Sequence, residues 1–262
     1  MSLAVSLPPV VAASPYAQWR RHFLQNDDSA RTLPWGDAVR LTAAERRTVG
    51  SSIQQFQLGE WARGRGFMRR AETHPLLGQD AEWLAALRLF IAEEQRHSTI
   101  LGKFLDREGI PRLREHWLDG IFRKLRKLAG LEACTAVLVT AETLAIPFYQ
   151  ALRDATGSPL LRAICVRILC EEAAHLKFQA LTIGLIRRSL NNRTRAAHAW
   201  WHTALFHGTA LALWQQHHRV FHAANWSFWR FWRDARREFA ILEQLIRQSC
   251  SADVASFAER LD

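Results

Sequence analysis

Two seven-residue stretches of the chain, IAEEQRH ending at His97 and LCEEAAH ending at His175, resemble each other and share the spacing Glu-x-x-His. Residues three apart lie on the same face of an α-helix, so Glu94 can act together with His97, and Glu172 with His175. The other residues on both faces are mostly apolar, which predicts that the pairs point into the core. The chain must therefore bring together two helices that each bury a carboxylate and an imidazole.

A third predicted helix carries one acidic residue inside a long apolar stretch. Glu142 is the only charged residue between Glu132 and Arg153. Burying a lone carboxylate costs free energy unless the group is paired or coordinated. The stretch also has an interpretation as a membrane span, but Pro147, Gln150 and several threonines make it less apolar than a typical span. We therefore expect a core helix whose carboxylate binds a cation.

Glu60, on a fourth predicted helix, is the remaining candidate for a buried acidic residue that acts together with Glu94, Glu142 and Glu172. It shares a predicted apolar face with Phe56. Gly59, Gly64 and Gly66 weaken the helix around it. These glycines either leave space for a substrate or permit close helix packing, and the sequence alone leaves both explanations open.

Capping residues, glycines and prolines divide the chain into helices, and no convincing alternating strand pattern is present, so we predict an all-α protein. The predicted helices cover residues 43–72, 81–108, 112–128, 131–156 and 159–190, with two more after residue 194 that break at 225–227. The predicted domains are an N-terminal extension (1–42), a four-helix bundle (43–190) and an aromatic, basic C-terminal helical extension packed on the bundle (191–262).

The candidate residues are one glutamate on each of two helices and a Glu-x-x-His pair on each of two others. This pattern resembles the metal-binding residues of ferritin-like di-iron carboxylate proteins. The resemblance covers roughly residues 43–190 and implies a ferritin-like four-helix bundle. A crossover connection would join the second and third helices of the bundle, which are those predicted over residues 81–108 and 131–156. The metal ligands and catalytic residues that it implies are Glu60, Glu94, His97, Glu142, Glu172 and His175. Such a carboxylate-rich set suits two iron ions, with manganese or a mixed Mn/Fe pair left open. Glu93 and Glu171 could be surface charges, partners that orient the ligands or ligands themselves, and we favour surface charges.

The same resemblance implies a di-iron oxidoreductase that activates O2 as a co-substrate. We expect an oxidase or oxygenase acting on a small or lipid-like organic substrate, whose identity the sequence does not determine. Because the four cysteines form no rubredoxin-like module, electrons are expected from an external donor, a ferredoxin or a reductase. Two alternatives stay open, a ferritin-like iron storage or detoxification protein and a tRNA-hydroxylase-like RNA-modifying enzyme.

The formal net charge of +10 indicates an acidic partner, such as nucleic acid, an anionic membrane surface or an acidic carrier protein. The first twenty residues lack the pattern of a secretory signal, so we expect a cytoplasmic protein. Trp226, Trp229 and Trp232 lie among arginines, and we favour a packed apolar face over a membrane or RNA contact. The extension would then cover a substrate pocket or form a homodimer contact. His198 and His202 are not expected to bind metal, because no carboxylate or thiolate accompanies them in the sequence.

Overall fold

The computed structural model describes residues 14–28, 33–61, 65–114 and 130–251 of the chain. Within these ranges the chain forms eight α-helices, one short 3-10 helix and no strand, which confirms the predicted all-α class for this part. The α-helices are α1 (Ala17–Asp28), α2 (Ala43–Trp61), α3 (Arg65–Glu72), α4 (Ala81–Arg107), α5 (Leu131–Asp154), α6 (Pro159–Arg188), α7 (Asn192–Ala223) and α8 (Phe228–Ser251), and the 3-10 helix is Leu77–Gln79.

Side-chain caps determine where these helices begin. Thr42 and Glu45 form the predicted capping box at the start of α2, each donating its backbone N–H to the side chain of the other, at 2.8 and 3.1 Å. Asp80 caps α4 and Ser158 caps α6 by accepting a backbone N–H from the first turn. Gly109 has a φ of 65°, a left-handed conformation that favours glycine, just after α4 ends. The predicted starts of these three helices are therefore confirmed.

Two predicted helices differ from the described chain. The helix expected over residues 43–72 is described as two parts, α2 and α3, and the intervening residues 62–64 lie outside the described ranges. The connecting helix expected over 112–128 falls largely on residues 115–129, which also lie outside them, and residues 111–114 are not helical. The break expected at 225–227 is confirmed between α7 and α8.

The four helices that carry the candidate ligands pack as two pairs. α2 lies against α4, α5 lies against α6, and α4 also contacts α6. The later helices cover this arrangement, since α7 packs on α5 and α2, and α8 packs on α6 and α5. From the N-terminal side, α1 packs against α4. The contact between α4 and α6 brings the two Glu-x-x-His stretches together.

The apolar core extends across the predicted domain boundaries. Phe206 and Phe221 of α7 and Phe231 of α8 are buried in the same cluster as Phe148 of α5. Trp19 of α1 belongs to a second cluster built mainly on α4 and α6. The C-terminal helices therefore pack on the ligand-bearing helices, as predicted, and α1 shares their core.

The helix α5 is long and apolar enough to cross a membrane, with a mean hydropathy of 1.5 over its most apolar window. However, 83% of that window is buried by the rest of the protein. One such helix is only a weak indication of a membrane span, because the central helix of a packed bundle has the same composition. Its burial leaves Glu142 inside the protein, without contact with solvent.

Candidate metal centre

The side chains of the two Glu-x-x-His pairs lie on the facing sides of α4 and α6. Glu94 and His97 of α4 and Glu172 and His175 of α6 are all 0% exposed. Glu142 of α5 is equally buried. Regular helical spacing places these residues on one face of each helix, so their burial was predictable from the sequence.

These five side chains form two overlapping groups that could hold a metal ion. One ligand atom from each of Glu94, His97 and Glu172 lies within 4.8 Å of the other two. The same holds for Glu142, Glu172 and His175. Because Glu172 belongs to both groups, they share a carboxylate and form one continuous site.

Two carboxylates lie between the two imidazoles. Nδ1 of His97 is 3.9 Å from Oε1 of Glu94 and 3.8 Å from Oε1 of Glu172. Nδ1 of His175 is 2.9 Å from Oε1 of Glu94 and 3.5 Å from Oε2 of Glu172. Glu94 and Glu172 therefore each lie within 4 Å of both imidazoles.

Several polar atoms at the centre of the site are buried without a hydrogen bond. They include both oxygens of Glu172, both nitrogens of His175 and Nδ1 of His97. His175 and Glu94 are close, but their atoms are not aligned as donor and acceptor. A buried polar group left unsatisfied costs about 1–3 kcal/mol. A cation at the point where these atoms converge would satisfy them together, so the residues fit a bound metal ion.

The second nitrogen of His97 is held by a carboxylate from the facing helix. Nε2 of His97 lies 2.5 Å from Oε2 of Glu171, and the other oxygen of Glu171 accepts a hydrogen bond from Nε of Arg167 at 3.2 Å. Burial alone raises the pKa of Glu171, but His97 and Arg167 outweigh it and hold that pKa below its ordinary value. This contact fixes the ring so that Nδ1 faces the site, as outer carboxylates do at metal-bound histidines.

Glu93 is the counterpart of Glu171 on α4. Its Oε2 lies 3.9 Å from Nε2 of His175, and its Oε1 accepts a hydrogen bond from Nδ2 of Asn26 at 3.3 Å. The expectation that Glu93 and Glu171 are surface charges was wrong, since Glu93 is 0% exposed and the Glu171 side chain 13% exposed. The double glutamate in each repeat supplies one residue to the site and one to the opposite histidine.

Electrostatics around His175 reflect this crowding of carboxylates. Burial disfavours the charged imidazole, but Glu172, Glu93 and Glu94 outweigh it and raise the pKa of His175 well above its ordinary value. Phe90 and Phe23 lie next to the ring, with centroids 4.8 and 6.0 Å away, and exclude solvent from this side. The site therefore favours a positive charge in a dry environment.

Glu142 is oriented by a residue that the sequence interpretation missed. Nε2 of Gln179 donates a hydrogen bond to Oε2 of Glu142. Gln179 lies one helical turn after His175 on α6, so the same helical spacing that identified His175 also points to it. Glu142 also belongs to the group of close ligand atoms that it forms with Glu172 and His175.

Glu60 is buried, with 1% exposure, but no group of mutually close ligand atoms found among the described residues includes it. One turn earlier, Gln57 donates to the hydroxyl of Ser98 and accepts from it through its backbone oxygen, which ties α2 to α4. The role of Glu60 as a ligand stays a prediction. At Gly59 an added methyl group would meet nothing within 4 Å, so close packing does not explain this glycine.

His198 and His202 of α7 lie outside the candidate metal centre, and each of them contacts a glutamate. Nδ1 of His198 is 2.5 Å from Oε2 of Glu132, and Nδ1 of His202 is 2.9 Å from Oε1 of Glu243. The expectation that no carboxylate accompanies these histidines was therefore wrong. Neither histidine belongs to a group that could hold a metal ion in the described part of the chain.

The tryptophan stripe of the C-terminal extension is divided between core and surface. Trp226 is buried, with Arg230 stacked over its ring at 4.0 Å, and Trp232 packs against the core. Trp229 is 74% exposed. The predicted packed face is therefore correct for two of the three rings.

Comparison with models of known protein families, with characterised proteins and with solved structures finds no match to this chain.

Proposed function

We propose that this chain is an O2-activating non-heme di-iron oxidase or oxygenase with a ferritin-like bundle. The observation that carries the proposal is the pair of ligand groups that share Glu172, whose two buried oxygens make no hydrogen bond. Carboxylate oxygens with one imidazole in each group favour iron or manganese over structural zinc. We choose iron, because the symmetric set also resembles that of di-iron proteins.

The roles of the residues follow from their positions. Glu94, Glu172, His97 and His175 would together hold the two ions. Glu142 would be the terminal carboxylate at one ion, and we propose Glu60 for the other. When bound, two ferrous ions supply the electrons and Lewis acidity that O2 reduction needs. Glu171 holds the ring of His97 by a hydrogen bond, Glu93 lies close to the ring of His175, and the aromatic residues around His175 exclude water.

The substrate is proposed to be a small or lipid-like organic molecule. Gly59 lies next to Glu60, and the absence of neighbours within 4 Å of a built methyl group supports space on that side of the site. Electrons would come from an external donor. A storage cage is less well supported, because storage needs an acidic, iron-attracting interior surface, whereas this chain carries a net charge of +10.

The proposal is tested by loading the purified chain anaerobically with ferrous iron and then admitting oxygen. We expect two iron ions per chain, oxygen uptake faster than that of free iron, and the Mössbauer signature of a coupled di-iron pair. Glu142→Ala should reduce the iron content to about one ion and abolish rapid oxygen uptake, because one ion loses its terminal carboxylate. Glu82→Ala, which removes an exposed carboxylate, is the matched control and should bind two ions.

Oxygen uptake by the loaded chain no faster than by free iron would overturn the proposal. Size-exclusion chromatography tests the storage alternative, which requires a large cage rather than one or a few 30.1 kDa chains.

RNA as the substrate is the second candidate, favoured by the surface of α8. Trp229 and the side chain of Arg233 are both 74% exposed, which suits stacking on an unpaired base beside a phosphate. A mobility-shift titration with tRNA should then show binding that weakens strongly with added salt. Arg233→Gln should weaken it and Lys103→Gln, on a different helix, should not. Equal effects of the two substitutions would exclude α8 as the RNA contact.

A further inference from the structure

A cavity of about 260 Å³ lies between α1 and the outer face of α6. Gln18, Trp19 and His22 of α1 line one side, and Cys170, Ala173, Ala174 and Lys177 of α6 line the other. The volume is just below the roughly 300 Å³ at which small-molecule pockets typically begin. An occupant would therefore be small, and none of the lining residues is a proposed metal ligand.

Two hydrogen-bond donors of this cavity are buried without a partner. Nε1 of Trp19 and Nε2 of Gln18 make no hydrogen bond with any described residue. Trp19 is only 5% exposed, so its indole N–H is shielded from bulk water. Unsatisfied buried donors are rare in native proteins and indicate a missing acceptor.

The indole ring of Trp19 is held firmly in place. Phe23 and Phe178 pack around it, with ring centroids 6.0 and 5.9 Å away. These contacts bury the ring in the core formed by α1, α4 and α6. A donor on a fixed ring is preorganised for an acceptor, which lowers the entropic cost of binding.

The charges around the cavity favour an anion. Lys177 contributes a positive charge, and none of the described lining residues is acidic. His22 adds another donor: burial lowers its pKa, so the ring is neutral near pH 7. Nδ2 of Asn26, which also donates to Glu93, lies 3.3 Å from Nε2 of His22. Because an amide nitrogen can only donate, Nε2 of His22 accepts this hydrogen bond and the ring proton is on Nδ1. Trp19 and Gln18 therefore offer buried donors that require an acceptor, His22 adds a ring N–H, and Lys177 adds a positive charge.

We propose that the cavity between α1 and α6 binds a small carboxylate with an apolar body. The carboxylate oxygens would accept from the donors on α1 and from Lys177, and the apolar body would lie against Ala173 and Ala174. A phosphate is a poorer fit, because phosphate sites favour arginine and the described lining residues include none. The proposal stands apart from the proposed metal chemistry, since its residues bind no metal.

A chain of side chains joins this carboxylate site to the candidate metal centre. His22 contacts Asn26, Asn26 donates to Glu93, and Glu93 lies 3.9 Å from His175. The carboxylate site thus lies two contacts away from Glu93, which is close to His175, although it includes neither residue.

The test is 19F NMR titration of the full chain with 4-fluorobenzoate and, separately, with the neutral 4-fluorobenzamide. We expect the carboxylate to bind at least tenfold more tightly than the amide. Trp19→Phe, which keeps an aromatic ring and removes the N–H, should weaken carboxylate binding about tenfold. Lys177→Gln should reduce the preference for the carboxylate over the amide to less than threefold.

Two matched controls make the result decisive. Trp226→Phe removes another buried indole N–H without a hydrogen-bond partner, far along the chain from the cavity, and Lys103→Gln removes an exposed lysine on α4. Both should bind 4-fluorobenzoate like the unmodified chain. Equal affinity for the two probes, or equal weakening by Trp19→Phe and Trp226→Phe, would overturn the proposal. Titration in the presence of a chelator should give the same affinity, so this result is independent of metal binding.

Discussion

The described residues include two clusters of glutamate and histidine, one fully buried and one partly buried, which differ in how their charges are satisfied. The inner cluster consists of Glu94, His97, Glu142, Glu172 and His175. The outer cluster, between α5, α6, α7 and α8, consists of Glu132, Arg187, His198, His202 and Glu243.

The outer cluster is closed by its own hydrogen bonds. Nε of Arg187 donates to Oε1 of Glu132 at 2.7 Å, and His198 contacts the other oxygen of that carboxylate. His202 bonds Glu243 through Nδ1 and the hydroxyl of Thr140 through Nε2, at 2.9 and 3.1 Å. Each carboxylate thus has a donor, and a buried arginine supplies the compensating charge.

In the inner cluster the carboxylates and histidines converge on one another, and central atoms such as both oxygens of Glu172 make no hydrogen bond. Residue types alone therefore do not distinguish a metal site from a structural network. The two clusters differ in whether protein donors satisfy their buried carboxylates. Substitutions in the two clusters should therefore have opposite effects on metal binding and on the free energy of unfolding.

The largest expected difference concerns metal binding. Glu172→Gln removes the carboxylate shared by both ligand groups, so the iron content should fall from two ions per chain to less than one. Glu243→Gln, the matched change in the outer cluster, should leave two ions bound. The measurement is the iron content of both variants after loading and desalting. Equal iron content in the two variants would remove the distinction between the clusters.

The next largest expected effect is a loss of stability caused by a substitution in the outer cluster. Glu132→Ala leaves the guanidinium of Arg187, which is 3% exposed, without its closest carboxylate. Removing one partner of a buried pair typically costs about 3–5 kcal/mol of unfolding free energy. The measurement is urea denaturation in the presence of a chelator. Glu82→Ala, which breaks an exposed pair with Arg20, is the control and should cost less than about 1 kcal/mol.

The same denaturation experiment applied to the inner cluster should give the opposite sign. With a chelator present, Glu172→Gln relieves repulsion among buried carboxylates, so it should not destabilise the chain and should raise its unfolding free energy by about 1 kcal/mol. A loss as large as that of Glu132→Ala would mean that Glu172 is satisfied by protein groups, as the outer cluster is.

The sequence predicted the inner cluster better than the outer one. Helical spacing identified both Glu-x-x-His pairs, and an isolated charge identified Glu142, because these signals are local. Glu132 and Arg187 lie on different helices, and their pairing depends on how α5 packs against α6, for which the sequence has no local signal. Asn26 was missed for the same reason, since α1 reaches Glu93 only through tertiary packing.

The last prediction separates the effect of charge from that of hydrogen bonding at Glu243. Burial alone raises the pKa of this carboxyl, but the hydrogen bond from His202 and the charges of His202, Arg187 and Arg247 outweigh it and lower the pKa. A depressed folded-state pKa gives stability that is present above the unfolded-state pKa of about 4.3 and is lost as the pH falls through the folded-state value.

Glu243→Gln keeps an acceptor for His202 and removes the charge, so it should cost about 1–2 kcal/mol at pH 7. That cost should decrease below the unfolded-state pKa of about 4.3 and vanish as the pH falls through the lower folded-state pKa, below which the wild-type carboxyl is also neutral. Urea denaturation of both proteins from pH 7 to pH 3 measures the difference, and a cost that stays constant with pH would show that Glu243 acts through packing rather than through its charge.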